Sequence, residues 1–430
     1  MSWDLADKSL YVRWAEADIW TSTQLERHTG LPSNESLILY GEIPEIQANF
    51  ATGPHGHIEV FTLPGAPTPW PEVGSSRFLQ RKTSSRESFN QVKSWLTDCF
   101  QSHDRCNSPK HGSLLPKRLI DVLGDSVKLV ETHDKESRYL CLSHCWGDST
   151  KHPRPLETTK NNFCGHKNGI HWAALPKTFQ DAILSVRFLG ESYIWIDSLC
   201  IIQDCREDWY QESAKMASIY QNSLLTLAAT TSTNSSEGLL SIPDKEYEPL
   251  PFHVKYLDGV PFTIYCRKAL SHWFGPERSE TPPLLTRAWA FQELNLSPRI
   301  LHFGYQELIW ECKELTSCEC GIWDNSKSRC PQNMMRLKLD QPVEVQKYVQ
   351  STWQLVVSKY SQLELTKASD RLPAIAGIAK QIQVSQEGGE YLSGLWKHSL
   401  IHDIEWYIHD ISRSTRDTSF APSWSWACID

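Results

Sequence analysis

Residues Tyr193 to Ala229, YIWIDSLCIIQDCREDWYQESAKMASIYQNSLLTLAA, constrain this chain most, because they spell a β-α-β unit with acids at its hinge. Tyr193 to Ile202 reads as a buried strand ending on Asp197, Asp204 to Tyr220 as a capped helix, and Leu224 to Ala229 as the next buried strand. Trp209, Met216 and Tyr220 recur at helical spacing and mark the inward stripe. Glu212 falls on the same stripe, so its carboxylate faces the interior. A buried charge is costly enough that this group is expected to be paired, protonated or part of a site.

The pattern extends upstream. Tyr139 to Leu142 is a short apolar strand, followed by the polar loop Ser143 to Asp148, and a helix is expected from about Thr178 to Leu189, stopping at Gly190. Strands separated by helices predict an α/β fold with a mostly parallel sheet flanked by helices. Ligand crevices in such sheets lie beyond the carboxyl ends of the strands, which puts Ser143, His144 and Trp146 at one strand end and Asp197 and Ser198 at another. Ser143 lacks the Gly-x-Ser-x-Gly elbow, and its neighbour His144 would point to the opposite face, which argues against a serine hydrolase.

Around this centre the organisation is looser. Residues 1–136 read as an accessory region, turn-rich to about 85 with a strand-like piece at His57 to Leu63, then a helix over Arg86 to Phe100 and two short strands around a Gly-Asp turn in LPKRLIDVLGDSVKLVET. The α/β domain spans 137–305 with an insertion at about 231–283. The stretch from Leu284 reads as helical up to the Ser297-Pro298 break, ILHFGYQELIW as a hairpin around Gly304, and 306–430 as a mainly helical region.

With 430 residues, 40% hydrophobic and 22% charged, the chain has ordinary globular composition, and a net charge of -8 without a basic stripe argues against a nucleic-acid partner. No basic-then-apolar leader opens the sequence and no apolar run is long enough for a bilayer, so a cytoplasmic or nuclear protein without membrane contact is expected. The thirteen cysteines are scattered and read as reduced thiols. Two groups bear on metal: Cys99-x3-His103-x2-Cys106, and Cys312, Cys318, Cys320 and Cys330. Neither has paired Cys-x2-Cys knuckles, and the reading adopted is buried thiols with no metal. The eighteen tryptophans read mostly as core aromatics.

Three ordered motifs, YLCLSHCWG at Tyr139 to Gly147, YIWIDSLCIIQD continuing through DWYQESAKMASIY to Tyr220, and TRAWAFQELNLSPRILHFG at Thr286 to Gly304, together resemble the fungal heterokaryon incompatibility (HET) domain. The flanks WLTDCFQSHDRC, LPKRLIDV, DRLPAIAGIAK and APSWSWA are similar to that family too, so the resemblance covers most of the chain. Many relatives continue beyond the tryptophan-rich motif that closes this sequence. The resemblance implies a role in nonself recognition and programmed cell death, with other incompatibility proteins or further copies of the chain as partners. HET domains also look like distant relatives of Toll/interleukin-1 receptor (TIR) domains, some of which hydrolyse NAD at the nicotinamide-ribose bond with a helical glutamate. Glu212, in Trp209-x-x-Glu212, resembles that residue.

On this analogy NAD is a substrate and no cofactor is required. Glu212 would stabilise an oxocarbenium-like state, or else it pairs with a buried cation such as Arg287 and only fixes its helix. Ser143, Trp146 and Asp197 would face ligand at the strand ends. Arg287 could clamp a pyrophosphate, Trp289 stack on a base, and Gln292 and Glu293 read ribose or nicotinamide groups; the alternative makes Trp289 core and pairs Arg287 with Asp197 or Glu212. Asp204 and Glu207 are expected to form a capping box, and Asp208 to face solvent. A noncatalytic signalling module that recruits partners is the other function class these residues allow.

Overall fold

The computed structural model describes residues 58–66, 73–107, 115–124, 126–132, 136–255, 261–270, 272, 281–322, 346–385, 389–408 and 414–429. The chain forms two compact units. In the first, drawn from residues within 58–79 and 244–271, β1 (Ile58–Phe61) pairs antiparallel with β8 (Pro261–Lys268), which pairs antiparallel with β7 (Leu250–Lys255). Buried Arg267 reaches Glu59 at 2.8 Å and lies 4.6 Å over the Phe61 ring, so the small sheet carries its own charged anchor. β7 and β8 come from the stretch that the sequence marks as an insertion.

The second unit is organised by an eight-stranded sheet, ordered β11-β10-β9-β6-β4-β5-β2-β3. Its strands are β2 (Arg118–Asp121), β3 (Lys128–Glu131), β4 (Leu140–Ser143), β5 (Tyr193–Trp195), β6 (Leu225–Ala228), β9 (Arg299–Phe303), β10 (Leu308–Cys312) and β11 (Thr316–Cys318). β4, β6 and β9 are buried along their whole length, which is why β4 and β6 read as near-continuous apolar runs and not as alternating ones. The four central strands β9, β6, β4 and β5 are parallel. The expectation of a mostly parallel sheet is corrected at the flanks, where the β2–β3 hairpin joins β5 antiparallel and the β9–β10–β11 meander runs antiparallel. Helical crossovers give parallel neighbours and short turns give antiparallel ones, so the sheet is mixed.

Helices close the sheet. α1 (Arg86–Ser102) is capped by Ser85, whose hydroxyl accepts the Ser88 N–H at 3.0 Å, and buries Phe89, Val92, Trp95 and Cys99. α2 (Asp104–Asn107) follows at once, and α3 (Phe163–Asn168) lies between β4 and β5. α4 (Lys177–Leu189) buries Phe179, Ala182, Ile183 and Val186 and ends where Gly190, at φ 81°, donates back to the Val186 and Arg187 carbonyls. After β5 comes the single turn α5 (Asp197–Cys200), so the expected strand to Ile202 stops at Trp195.

The helix expected over Asp204 to Tyr220 is two helices, α6 (Arg206–Ser213) and α7 (Met216–Asn222). The Lys215 N–H bonds the Glu212 carbonyl three residues back at 3.0 Å, which tightens the last turn and ends the ladder. The capping box does not form, because the Asp204 carboxylate accepts the Lys160 N–H at 2.8 Å and the cap position is Cys205. Nor does Asp208 face solvent: it is buried against Arg118, with Lys117 at 2.9 Å and the Ile202 N–H at 3.0 Å. Burial alone would raise its carboxyl, but those partners hold it below the ordinary range.

A further apolar cluster joins α8 (Ala288–Leu296), α9 (Gln346–Tyr360), α10 (Ala376–Ser385) and the hairpin of β12 (Tyr391–Leu392) and β13 (Leu395–Trp396). Trp353 and Trp426 both donate to the Gly394 carbonyl at 2.9 Å, so these indoles are core residues with satisfied N–H groups. Cys330 lies outside the described residues.

Candidate functional site

The chain passes from β4 to β5 on one side and then crosses to β6 on the other. The strand order therefore reverses at β4, and a crevice is expected beyond its carboxyl end. Ser143 is the last residue of β4 and fully buried. Its hydroxyl donates to Glu293 Oε2 at 2.5 Å, joining β4 to the middle of α8. Burial pushes the Glu293 carboxyl up to about 7, against the pull of Ser143; the nearby Asp197 charge raises it further and Arg287 lowers it. Tyr220, from α7, donates to the Leu142 carbonyl at 3.0 Å, and burial beside Glu293 raises its phenol far above the ordinary value.

The loop after Ser143 supplies the other wall. Arg287, at the entrance of α8, donates to the His144 carbonyl. Asp197, opening α5, accepts the Trp146 indole N–H at 2.8 Å and the Ser198 N–H at 2.7 Å, and its carboxylate lies 3.8 Å from His144 Nδ1. Burial takes the His144 imidazole down to about 4; Asp197 acts to raise it and Arg287 to lower it. His144 Nε2 is buried without a hydrogen-bond partner among the described residues. The loop then turns at Gly147, φ 90°, where a Cβ would sit 2.7 Å from Asn234 Cβ, so only glycine fits.

Ser143, Trp146, Asp197, Arg287 and Glu293 thus come together around the end of β4. Trp289 and Gln292 do not join them. The Trp289 indole reaches Asp370 at 3.3 Å, and Gln292 Oε1 accepts the Gly377 N–H at 2.6 Å, which turns both toward the C-terminal helices. Glu212 is 1% exposed and pairs with Lys215 Nζ at 3.0 Å; its bonded partner is neither Arg287 nor Ser143. The Ser143 hydroxyl is engaged by an acid and not by a histidine, in keeping with the argument against a serine hydrolase. Tyr220 is the group that reading by periodicity leaves in the core: its ring lies on the apolar stripe, while its hydroxyl reaches the strand end.

A hollow of about 420 Å³ lies elsewhere in this unit, lined by Lys117, Glu131, Tyr139, Lys215 and their neighbours. It contains neither Ser143 nor Glu293, and Glu131, the acid among its described lining residues, is ion-paired with Lys167. The gathered and proton-tuned groups at β4 are the better site on chemical grounds. Among the described residues no helix is long and apolar enough to cross a membrane.

Among known proteins, no curated sequence and no solved structure matches the chain. One protein family does: its model, described as heterokaryon incompatibility protein (HET), matches residues 139–293. The matched segment opens on the residue before β4 and closes on Glu293, so it contains the whole constellation at the strand end. The chain carries a heterokaryon incompatibility (HET) domain.

Proposed function

We propose that this HET domain is an effector of nonself recognition that kills by hydrolysing NAD at the nicotinamide-ribose bond, and that the reaction is housed at the end of β4. The observation that carries this reading is the Ser143–Glu293 pair: a buried carboxyl poised near 7, beside an arginine and an indole at a topological switch point. In the reaction the C1′–N bond breaks and its electron pair neutralises the pyridinium as nicotinamide leaves. The positive charge passes to the ribose, and a water adds there while giving its proton to Glu293. A base working near neutrality suits that transfer. Arg287 supplies a charge for the pyrophosphate, Trp146 a face for a base, and His144 Nε2 an unused polar atom for a ribose hydroxyl.

Glu212, which resembles the TIR glutamate, is tied to Lys215 and has a structural role. Purified protein, tested over a range of concentrations with a crowding agent to favour self-assembly, is expected to release nicotinamide from NAD. Glu293→Gln should reduce the rate at least about 100-fold, the scale of a lost general base, while Glu212→Gln leaves it within about threefold. The wild-type rate should climb as pH rises through about 7, where Glu293 ionises. The reverse order of the two variants would move the site to α6. No release from assembled protein would favour a module that recruits partners without catalysis.

A further inference from the structure

We propose that the loop between α1 and α2, together with the end of β10, forms a Cys3His site for a zinc ion that ties this part of the second unit together. Cys99 ends the buried stripe of α1, His103 is the residue after that helix, Cys106 lies on α2, and Cys312 closes β10. One donor atom from each lies within 4.8 Å of all the others. Spacing in sequence pointed to the first three but not to the fourth, which follows His103 by 209 residues.

Four soft donors at this separation match the tetrahedral sulfur and nitrogen set that zinc prefers. All three thiols are buried, and His103 Nδ1 stands 3.3 Å from Cys312 Sγ. The loop is held in shape without any metal: the Asn107 side-chain amide donates to the Cys99, Phe100 and His103 carbonyls at 2.9 to 3.0 Å. The Leu315 N–H points at Cys312 Sγ at 3.3 Å, the kind of backbone donor that stabilises a ligating thiolate.

Arg299 gives independent support. It is 4% exposed, and its bonded partners among the described residues are Cys99 Sγ at 3.1 Å, the Leu224 and Cys106 carbonyls, and Asn107. None is a carboxylate, yet a buried guanidinium needs a counter-charge. Three thiolates around a divalent ion leave one net negative charge, and Arg299 balances it from the outer shell. With four protein donors the position is closed, which makes the ion structural and leaves no place for substrate.

The test is elemental analysis of the full chain purified without chelator. Zinc is expected, and its content should fall by one equivalent in Cys106→Ser, His103→Ala and Cys312→Ser but not in Cys164→Ser, which alters an exposed thiol. Should those variants fail to fold, cobalt substitution of the wild type decides. Sulfur-to-cobalt charge-transfer absorption with a tetrahedral ligand-field spectrum is expected, and it should be lost as a mercurial reagent modifies three thiols. Wild type that holds no zinc or cobalt, a cobalt spectrum without thiolate bands, or a disulfide mapped between any two of the three cysteines would overturn the assignment.

Discussion

Two helices of the second unit carry buried acids, and they treat them in opposite ways. On α6, Asp208 is clasped by Arg118 and Lys117 and Glu212 by Lys215, so each carboxylate faces a cation. On α8, Glu293 faces the Ser143 hydroxyl, while the nearby Arg287 guanidinium bonds a main-chain carbonyl instead. The cation partners of Asp208 hold its carboxyl in the charged form and make it a tie between elements. A hydroxyl partner leaves the proton free to move near neutrality. Burial alone is therefore a poor guide to chemistry, and the partner decides.

The sharpest way to break the contrast is Asp208→Ala. Arg118 is 1% exposed, and without its acid it would be a buried unpaired charge, so the loss in unfolding free energy should be about 3–5 kcal/mol. Urea unfolding measures it directly. A loss below about 1 kcal/mol would mean that Asp208 is no structural tie, and that α6 does not differ from α8 in the way described.

The next effect comes from α8. Glu293 has a folded value of about 7 against an ordinary 4.5, so the folded chain holds this proton more tightly than the unfolded one. Its contribution is therefore fully present below about 4.5 and is lost as pH rises through about 7, a change of about 3 kcal/mol. His144 works in the opposite direction: its folded value, about 4 against 6.5, costs stability as pH falls through that window. Glu319, also pushed up to about 7 by burial, adds a slope like that of Glu293. Subtracting the stability curve of Glu293→Gln from that of the wild type removes the shared His144 and Glu319 contributions. The difference should tilt against the wild type by about 3 kcal/mol between pH 4.5 and 7. Parallel curves would mean that Glu293 does not titrate in that range.

The same contrast explains what could be read without a structure. The central strands and α4 were legible because their signals are local: buried apolar runs, a 3.6-residue stripe and a closing glycine. That α6 buries Glu212 followed from the same periodicity. What was not legible is who meets whom over distance. Ser143 and Glu293 are 150 residues apart and Arg118 and Asp208 are 90 apart, so no spacing rule could assign one acid to a hydroxyl and the other to a guanidinium. The flanking antiparallel strands escaped for a related reason, since the pattern of strands and helices does not state where a hairpin docks. Lys215 was near enough to Glu212 to be considered, but i,i+3 pairs on a helix are usually solvated, and only the depth of Glu212 makes this one matter.

Lys215 consequently offers the finest test. Its amine is half exposed, so water screens much of the pair, and Glu212→Gln, which keeps an acceptor for the amine, should cost about 1 kcal/mol or less. Lys215→Met is the more telling change, because it removes the cation and leaves the carboxylate buried. On the partner rule that strands a buried acid without its cation, so Lys215→Met should cost more than Glu212→Gln, about 2 kcal/mol. The experiment compares urea unfolding of Lys215→Met with that of the double variant Lys215→Met/Glu212→Gln. A loss in the single variant that the double variant recovers would show that one half-exposed cation makes Glu212 a structural acid. Equal losses would mean that the fold around α6, and not Lys215, accommodates Glu212.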